Sequence, residues 1–105
     1  MSVTTHVLDT ARGLPALGVN VLLTDPSGDT VAAITDVDGR ARLAEPPLLA
    51  GNYQLVFATA EYFAMTGRPT FYPEVTVVFT VTDGAAHHHV PLLISPFAYS
   101  TYRGS

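Results

Sequence analysis

The chain has 105 residues and a formal net charge of −4, with five Arg, no Lys and nine acidic residues. It therefore lacks the basic stripe that would neutralise nucleic-acid phosphates or an anionic membrane surface. Its hydrophobic fraction of 48% is interrupted by charges, prolines and glycines, and no run approaches the roughly 20 apolar residues that span a bilayer. The absence of Cys removes disulfides, a thiolate nucleophile and Cys-based zinc binding.

Period-2 alternation between turn residues recurs along the chain, the pattern of an antiparallel β-sandwich. The first strand, Val3 to Asp9, sets Val3, Thr5 and Val7 against Thr4, His6 and Leu8, and Arg12-Gly13-Leu14-Pro15 breaks the pattern. A second strand, about Gly18 to Thr24, puts Val19, Val21 and Leu23 on one face. Asp25-Pro26-Ser27-Gly28-Asp29 has the composition of a tight turn and leads into a strand from Thr30 to Thr35. Asp36-Val37-Asp38-Gly39 is another turn, followed by Arg40-Ala41-Arg42-Leu43, whose two Arg point one way and whose Ala41 and Leu43 point the other. Glu45-Pro46-Pro47 ends that strand.

Tyr53 to Ala58 is the fifth strand. Thr59 to Met65 reads as a short helix, with Thr59 as N-cap and Gly67 as the stop. Glu74 to Thr82 alternates again, Asp83-Gly84 supplies a turn, and Ala86 to Ile94 pairs with Tyr99 to Arg103 through Ser95-Pro96. The expectation is an all-β sandwich of about eight strands and one short helix, a single domain over residues 1–105. So small a domain places function on its surface or at a subunit interface.

Alternation in the seventh strand sends His87 and His89 to one face and His88 to the other. His87 and His89 could share a metal ion, with His6 reaching from the first strand. A closed zinc site wants about four ligands, however, and no Cys or clustered carboxylate stands beside them. Arg40 begins a strand just after a turn that fixes its backbone, a good position from which to aim a guanidinium at a planar anionic or amide group; spacing alone does not choose between Arg40 and Arg42. The aspartates lie in or beside turns, where they bond their own backbone, so a paired-carboxylate glycosidase is not supported. Ser100 and Ser105 lie in no Gly-x-Ser-x-Gly elbow.

Four segments taken together resemble the transthyretin-like family from end to end. They are Thr5-His6-Val7-Leu8-Asp9 with Arg12-Gly13-Leu14-Pro15-Ala16, then Thr35-Asp36-Val37-Asp38-Gly39-Arg40, then His87 to Pro96, and last Tyr99-Ser100-Thr101-Tyr102-Arg103-Gly104-Ser105. The closing Tyr-Arg-Gly-Ser is similar to the signature of the 5-hydroxyisourate hydrolase branch. The resemblance implies a transthyretin-like (prealbumin-like) sandwich that hydrolyses the ring amide of 5-hydroxyisourate to 2-oxo-4-hydroxy-4-carboxy-5-ureidoimidazoline in urate degradation, with no metal or cofactor. It puts the catalytic groups at His6, Arg40 and His89, and Ser105 is expected to join them through its hydroxyl and terminal carboxylate. Tyr102 and Arg103 would join His6, Arg40 and His89 in holding substrate. One departure is His88, where the family often has an aromatic between two histidines.

The family pattern also implies a homotetramer, a dimer of dimers whose final strands line a channel. The rival reading is a transthyretin-type carrier that binds a small hormone-like ligand without transforming it. His6, Arg40, His89 and the closing tetrapeptide together favour the enzyme. Met1-Ser2-Val3-Thr4-Thr5-His6 shows no basic segment followed by an apolar one, so no secretory signal is expected and a cytoplasmic location is the default.

Overall fold

The computed structural model describes residues 2–105. Nine strands and one helix follow in the order β1 Val3–Asp9, β2 Leu14–Pro15, β3 Asn20–Thr24, β4 Thr30–Ile34, β5 Arg40–Ala44, β6 Gly51–Phe57, α1 Thr59–Met65, β7 Val75–Val81, β8 His88–Ser95 and β9 Ala98–Thr101. One sheet runs β2-β1-β8-β9 with β5 also paired to β1, and the other runs β4-β3-β6-β7. This is the expected all-β sandwich.

Two details differ from the strand-by-strand expectation. Leu14 and Pro15, expected to break the pattern, form a two-residue ladder against Leu8 and Asp9. Both are exposed, so no burial alternation marked them, and a proline is tolerated there because the strand lies at a sheet edge. The second detail is that β1 and β8 run parallel, from Val3 opposite His88 to Asp9 opposite Ile94. A parallel pair needs a long connection rather than a hairpin, and here all the intervening elements supply it.

The core lies between the sheets. Val3 and Val7 from β1 and Leu92 and Ile94 from β8 meet Val21, Leu23, Leu55, Phe57 and Val81 from the other sheet, all 2% exposed or less. Thr5 also faces inward and satisfies its hydroxyl on the Val90 carbonyl at 2.6 Å, which ties β1 to β8. The alternate residues of these two strands face outward, Thr4 and His6 from β1 and His89 from β8 among them.

Helix α1 packs Tyr62 and Phe63 inward. Its N-cap position is Ala58, with no side-chain cap, not Thr59 as the sequence suggested; the Thr59 hydroxyl is buried without a partner among the described residues. The C-terminus behaves as expected. Gly67 takes φ +70, and the Gly67 and Arg68 amides bond the carbonyls of Ala64 and Phe63, a Schellman ending. Arg68 then reaches Asp9, whose carboxylate is fully buried, with 2.5 Å between Nη2 and Oδ2, and Tyr62 donates to the same carboxylate oxygen at 2.7 Å. Burial pushes Asp9 up, but the hydrogen bonds from Arg68 and Tyr62 outweigh it and hold the carboxyl below its ordinary range. This cluster fixes the far end of β1.

Candidate active site

The outward face of the first sheet is built by register. His6 lies opposite Arg40 and Thr4 opposite Arg42 in the antiparallel β1–β5 pair, while Thr4 lies opposite His89 in the parallel β1–β8 pair. Side chains directly opposite on one face stand about 5 Å apart at Cβ. Arg42, Thr4 and His89 thus form one row across three strands, and Arg40 and His6 stand in the next.

Arg40 owes its place to the turn before it. Asp36 Oδ1 accepts from the amides of Asp38 at 2.9 Å and Arg40 at 3.0 Å. The Gly39 carbonyl accepts from Val7 N at 2.7 Å, so the turn docks on β1 one residue beyond His6. Gly39 has φ +75, and a Cβ there would stand 2.3 Å from the Val7 carbonyl oxygen. Only glycine lets the turn approach this closely.

The chain's last residues come back to the same face. The Pro96-Phe97 turn returns β9 along β8, and beyond it Gly104 N bonds the His89 carbonyl at 2.8 Å. Gly104 is not among the glycines with positive φ, and its value is space: a Cβ there would meet His89 Cδ2 at 2.5 Å and Pro91 Cγ at 3.1 Å. Tyr102, Gly104 and Ser105 thereby border an open cleft of about 640 Å³ that is also lined by Thr4, His6, Arg40, Arg42, His87 and His89.

Of the residues singled out in the sequence, the cleft brings together His6, Arg40, His89, Tyr102 and Ser105. Arg103 is not among them; it lines a neighbouring groove between β7 and the closing segment, beside Phe79 and His88. Tyr102 borders both the cleft and this groove, whereas Arg103 borders the groove. His88 is turned inward, as expected, with Nδ1 3.0 Å from the Ala86 carbonyl oxygen and its ring near Phe79. Arg42 lines the cleft too, but its guanidinium is drawn to Glu45 at 2.9 Å. Thr4 was passed over in the sequence. Its hydroxyl lies 2.8 Å from His89 Nδ1, and the one available signal was that it shares a strand face with His6, two residues away.

Burial lowers the His89 pKa first, and the nearby charges of Arg40, His87 and His6 lower it further, against a small opposing contribution from the Thr4 backbone. His87, although exposed, is also lowered, by slight desolvation first and then by neighbouring positive charges, His88 and Arg42 among them. Burial and the nearby charges both favour the neutral form of His89, the state in which an imidazole accepts a proton. Among the described residues no group of three or more His, Cys, Asp or Glu side chains is arranged to hold a metal ion. No helix among them is long and apolar enough to cross a membrane.

Comparison with known proteins bears on this face. The sequence profile described as "HIUase/Transthyretin family" matches residues 3–104. A protein of Deinococcus radiodurans named 5-hydroxyisourate hydrolase is 50% identical over 112 residues, covering 97% of this chain and 94% of the relative. The solved structure of Klebsiella pneumoniae 5-hydroxyisourate hydrolase superposes with a TM-score of 0.90 at 39% identity, covering 100% of both chains. Sea bream transthyretin in complex with thyroxine superposes with a TM-score of 0.87 at 28% identity, covering 99% of this chain and 95% of that one.

Proposed function

The chain belongs to the HIUase/Transthyretin family, and from that premise we propose that it hydrolyses 5-hydroxyisourate to 2-oxo-4-hydroxy-4-carboxy-5-ureidoimidazoline in urate degradation. The protein is an enzyme of the hydrolase class. What carries the reading is one cleft that gathers His6, Arg40 and His89, in a chain that is half identical to a 5-hydroxyisourate hydrolase.

The chemistry follows from these groups. Opening an activated cyclic amide needs a water deprotonated near neutral pH, charge stabilisation on the carbonyl oxygen, and a proton for the departing nitrogen. A neutral imidazole in the His6–His89 pair takes the proton from water as the oxygen adds to the carbonyl carbon. Arg40, held by its turn, orients the planar substrate and stabilises the developing oxyanion. The imidazolium then returns its proton to the nitrogen as the C–N bond breaks, so water is consumed and no cofactor is called for. The Ser105 hydroxyl orders the water or a histidine, and Tyr102 forms a wall of the cleft. Arg103 contributes from the neighbouring groove by holding the closing segment.

The same reading makes this one domain the subunit of a dimer of dimers in the cytoplasm. The β7 and β9 edges leave backbone groups free for pairing between copies, and analytical ultracentrifugation should return a tetramer. The fold alone does not separate an enzyme from a carrier such as transthyretin. Generating 5-hydroxyisourate in place with urate oxidase and following its ultraviolet decay does: the enzyme accelerates the decay, whereas a carrier leaves it at the spontaneous rate.

A further inference from the structure

Thr4 Oγ1 sits between two imidazoles, 2.8 Å from His89 Nδ1 and 3.5 Å from His87 Nε2. The two rings are nearly parallel, with centroids 6.1 Å apart and planes 10° from each other. A hydroxyl has one proton to donate and two lone pairs with which to accept, so it can donate to one ring while accepting from the other. The far edge of the His89 ring rests on Gly104, where a Cβ would come within 2.5 Å of Cδ2. The imidazole is therefore held between a hydroxyl on its Nδ1 side and a bare Cα on its Cδ2 side.

The geometry points to Thr4 as a positioning residue that fixes both the ring and the tautomer of His89: its hydroxyl accepts from Nδ1–H of His89 and donates to Nε2 of His87, leaving His89 Nε2 unprotonated toward substrate. This rests on the hydrolase reading and deepens it by naming the base nitrogen. With the hydroxyl turned the other way, the His89 proton would sit on Nε2 and the ring could not take a proton from water. His87 sustains this direction when its Nε2 is unprotonated and accepts the hydroxyl proton.

When Nε2 of His89 removes a proton from water and the hydroxide adds to the amide carbon, the imidazolium keeps its Nδ1–H bond to Thr4, now charge-assisted and stronger. The proton on Nε2 then passes to the leaving nitrogen. His6 and Arg40, facing the ring from β1 and β5, and His87 on β8 all disfavour its charge. The lone pair that the Thr4 hydroxyl turns to Nδ1–H at 2.8 Å offsets part of that penalty.

Thr4→Val keeps the volume and removes the hydroxyl, and Thr4→Ser restores it. Nitrogen-15 shifts of the His89 ring, read above its titration range without substrate, should place the proton on Nδ1 in the unmodified protein and in Thr4→Ser. Thr4→Val should shift it toward Nε2. In the 5-hydroxyisourate assay Thr4→Val should lower kcat about 10- to 100-fold with KM little changed, and Thr4→Ser should recover most of the loss. A His89 protonated on Nε2 in the unmodified protein, a Thr4→Val protein with unchanged tautomer and kcat, or a Thr4→Ser protein as slow as Thr4→Val would each overturn the inference. The expected tautomers without hydrolysis would instead sink the hydrolase reading and leave the positioning role standing.

Discussion

Gly104→Ala is the smallest change that should disable the cleft without touching a titratable group. The added Cβ would lie 2.5 Å from His89 Cδ2 and 3.1 Å from Pro91 Cγ, where ordinary contacts begin at 3.4 Å. Pro91 is buried in β8 and has little freedom to yield, so either the His89 ring moves by about 1 Å or the closing segment lifts and breaks the Gly104–His89 backbone bond. A displacement of about 1 Å at a reacting group costs on the order of 10²-fold in rate. The fold should be nearly indifferent, because the site is on the outward face, away from the core, and unfolding free energy should change by no more than about 1 kcal/mol. Steady-state hydrolysis with thermal melts on the same samples reads both. A kcat equal to that of the unmodified protein would show that ring placement does not depend on this contact and would refute the reasoning.

Other expectations concern charge and stability. Arg68→Met leaves the Asp9 carboxylate buried without its cation and should cost about 3–5 kcal/mol of stability, measured by urea unfolding. Because the Asp9 pKa is depressed in the folded state, the stability it contributes is present above its ordinary value of 3.8 and is lost as the pH falls through the folded value. The gap between the two proteins should therefore be widest near neutrality and narrow in acid. The acid limb of kcat/KM should fall below the ordinary imidazole value of 6.5, since burial and then Arg40 lower His89. Arg40→Gln should move that limb upward as well as slow the reaction, and a limb that stays in place would remove Arg40 from the electrostatics of the base. Thr59→Val, which replaces an orphaned buried hydroxyl with a methyl group of similar shape, should add about 1 kcal/mol and raise Tm by a few degrees; a fall in Tm would mean that the hydroxyl has a partner.

Where one face of a strand is buried, the sequence was legible. Val3, Thr5 and Val7 go inward and Thr4 and His6 outward, as their alternation says, and the helix lies over the residues expected for it. The Leu14–Pro15 ladder was not legible because both residues are exposed and periodicity has nothing to report. Nor was the Ala58 cap, since a hydroxyl one position inside the helix looks in sequence like a capping one.

At the cleft, composition and spacing left Arg40 and Arg42 equivalent, because residues two apart share a strand face. The family resemblance chose Arg40, and the register that sets it opposite His6 and the ion pair that draws Arg42 toward Glu45 supply a physical difference between the two. Thr4 escaped notice for a related reason. Its value depends on His89, 85 residues away, and no local pattern carries a cross-strand pair of that separation.

The most direct test of the central claim is the initial rate of 5-hydroxyisourate decay with the unmodified protein and with His6→Gln, Arg40→Gln and His89→Gln, each first shown to be folded by its melt. The unmodified protein should accelerate decay well above the spontaneous rate, and each replacement should remove about 10²-fold or more of that acceleration. Decay at the spontaneous rate with the unmodified protein, or full acceleration in all three variants, would contradict the account.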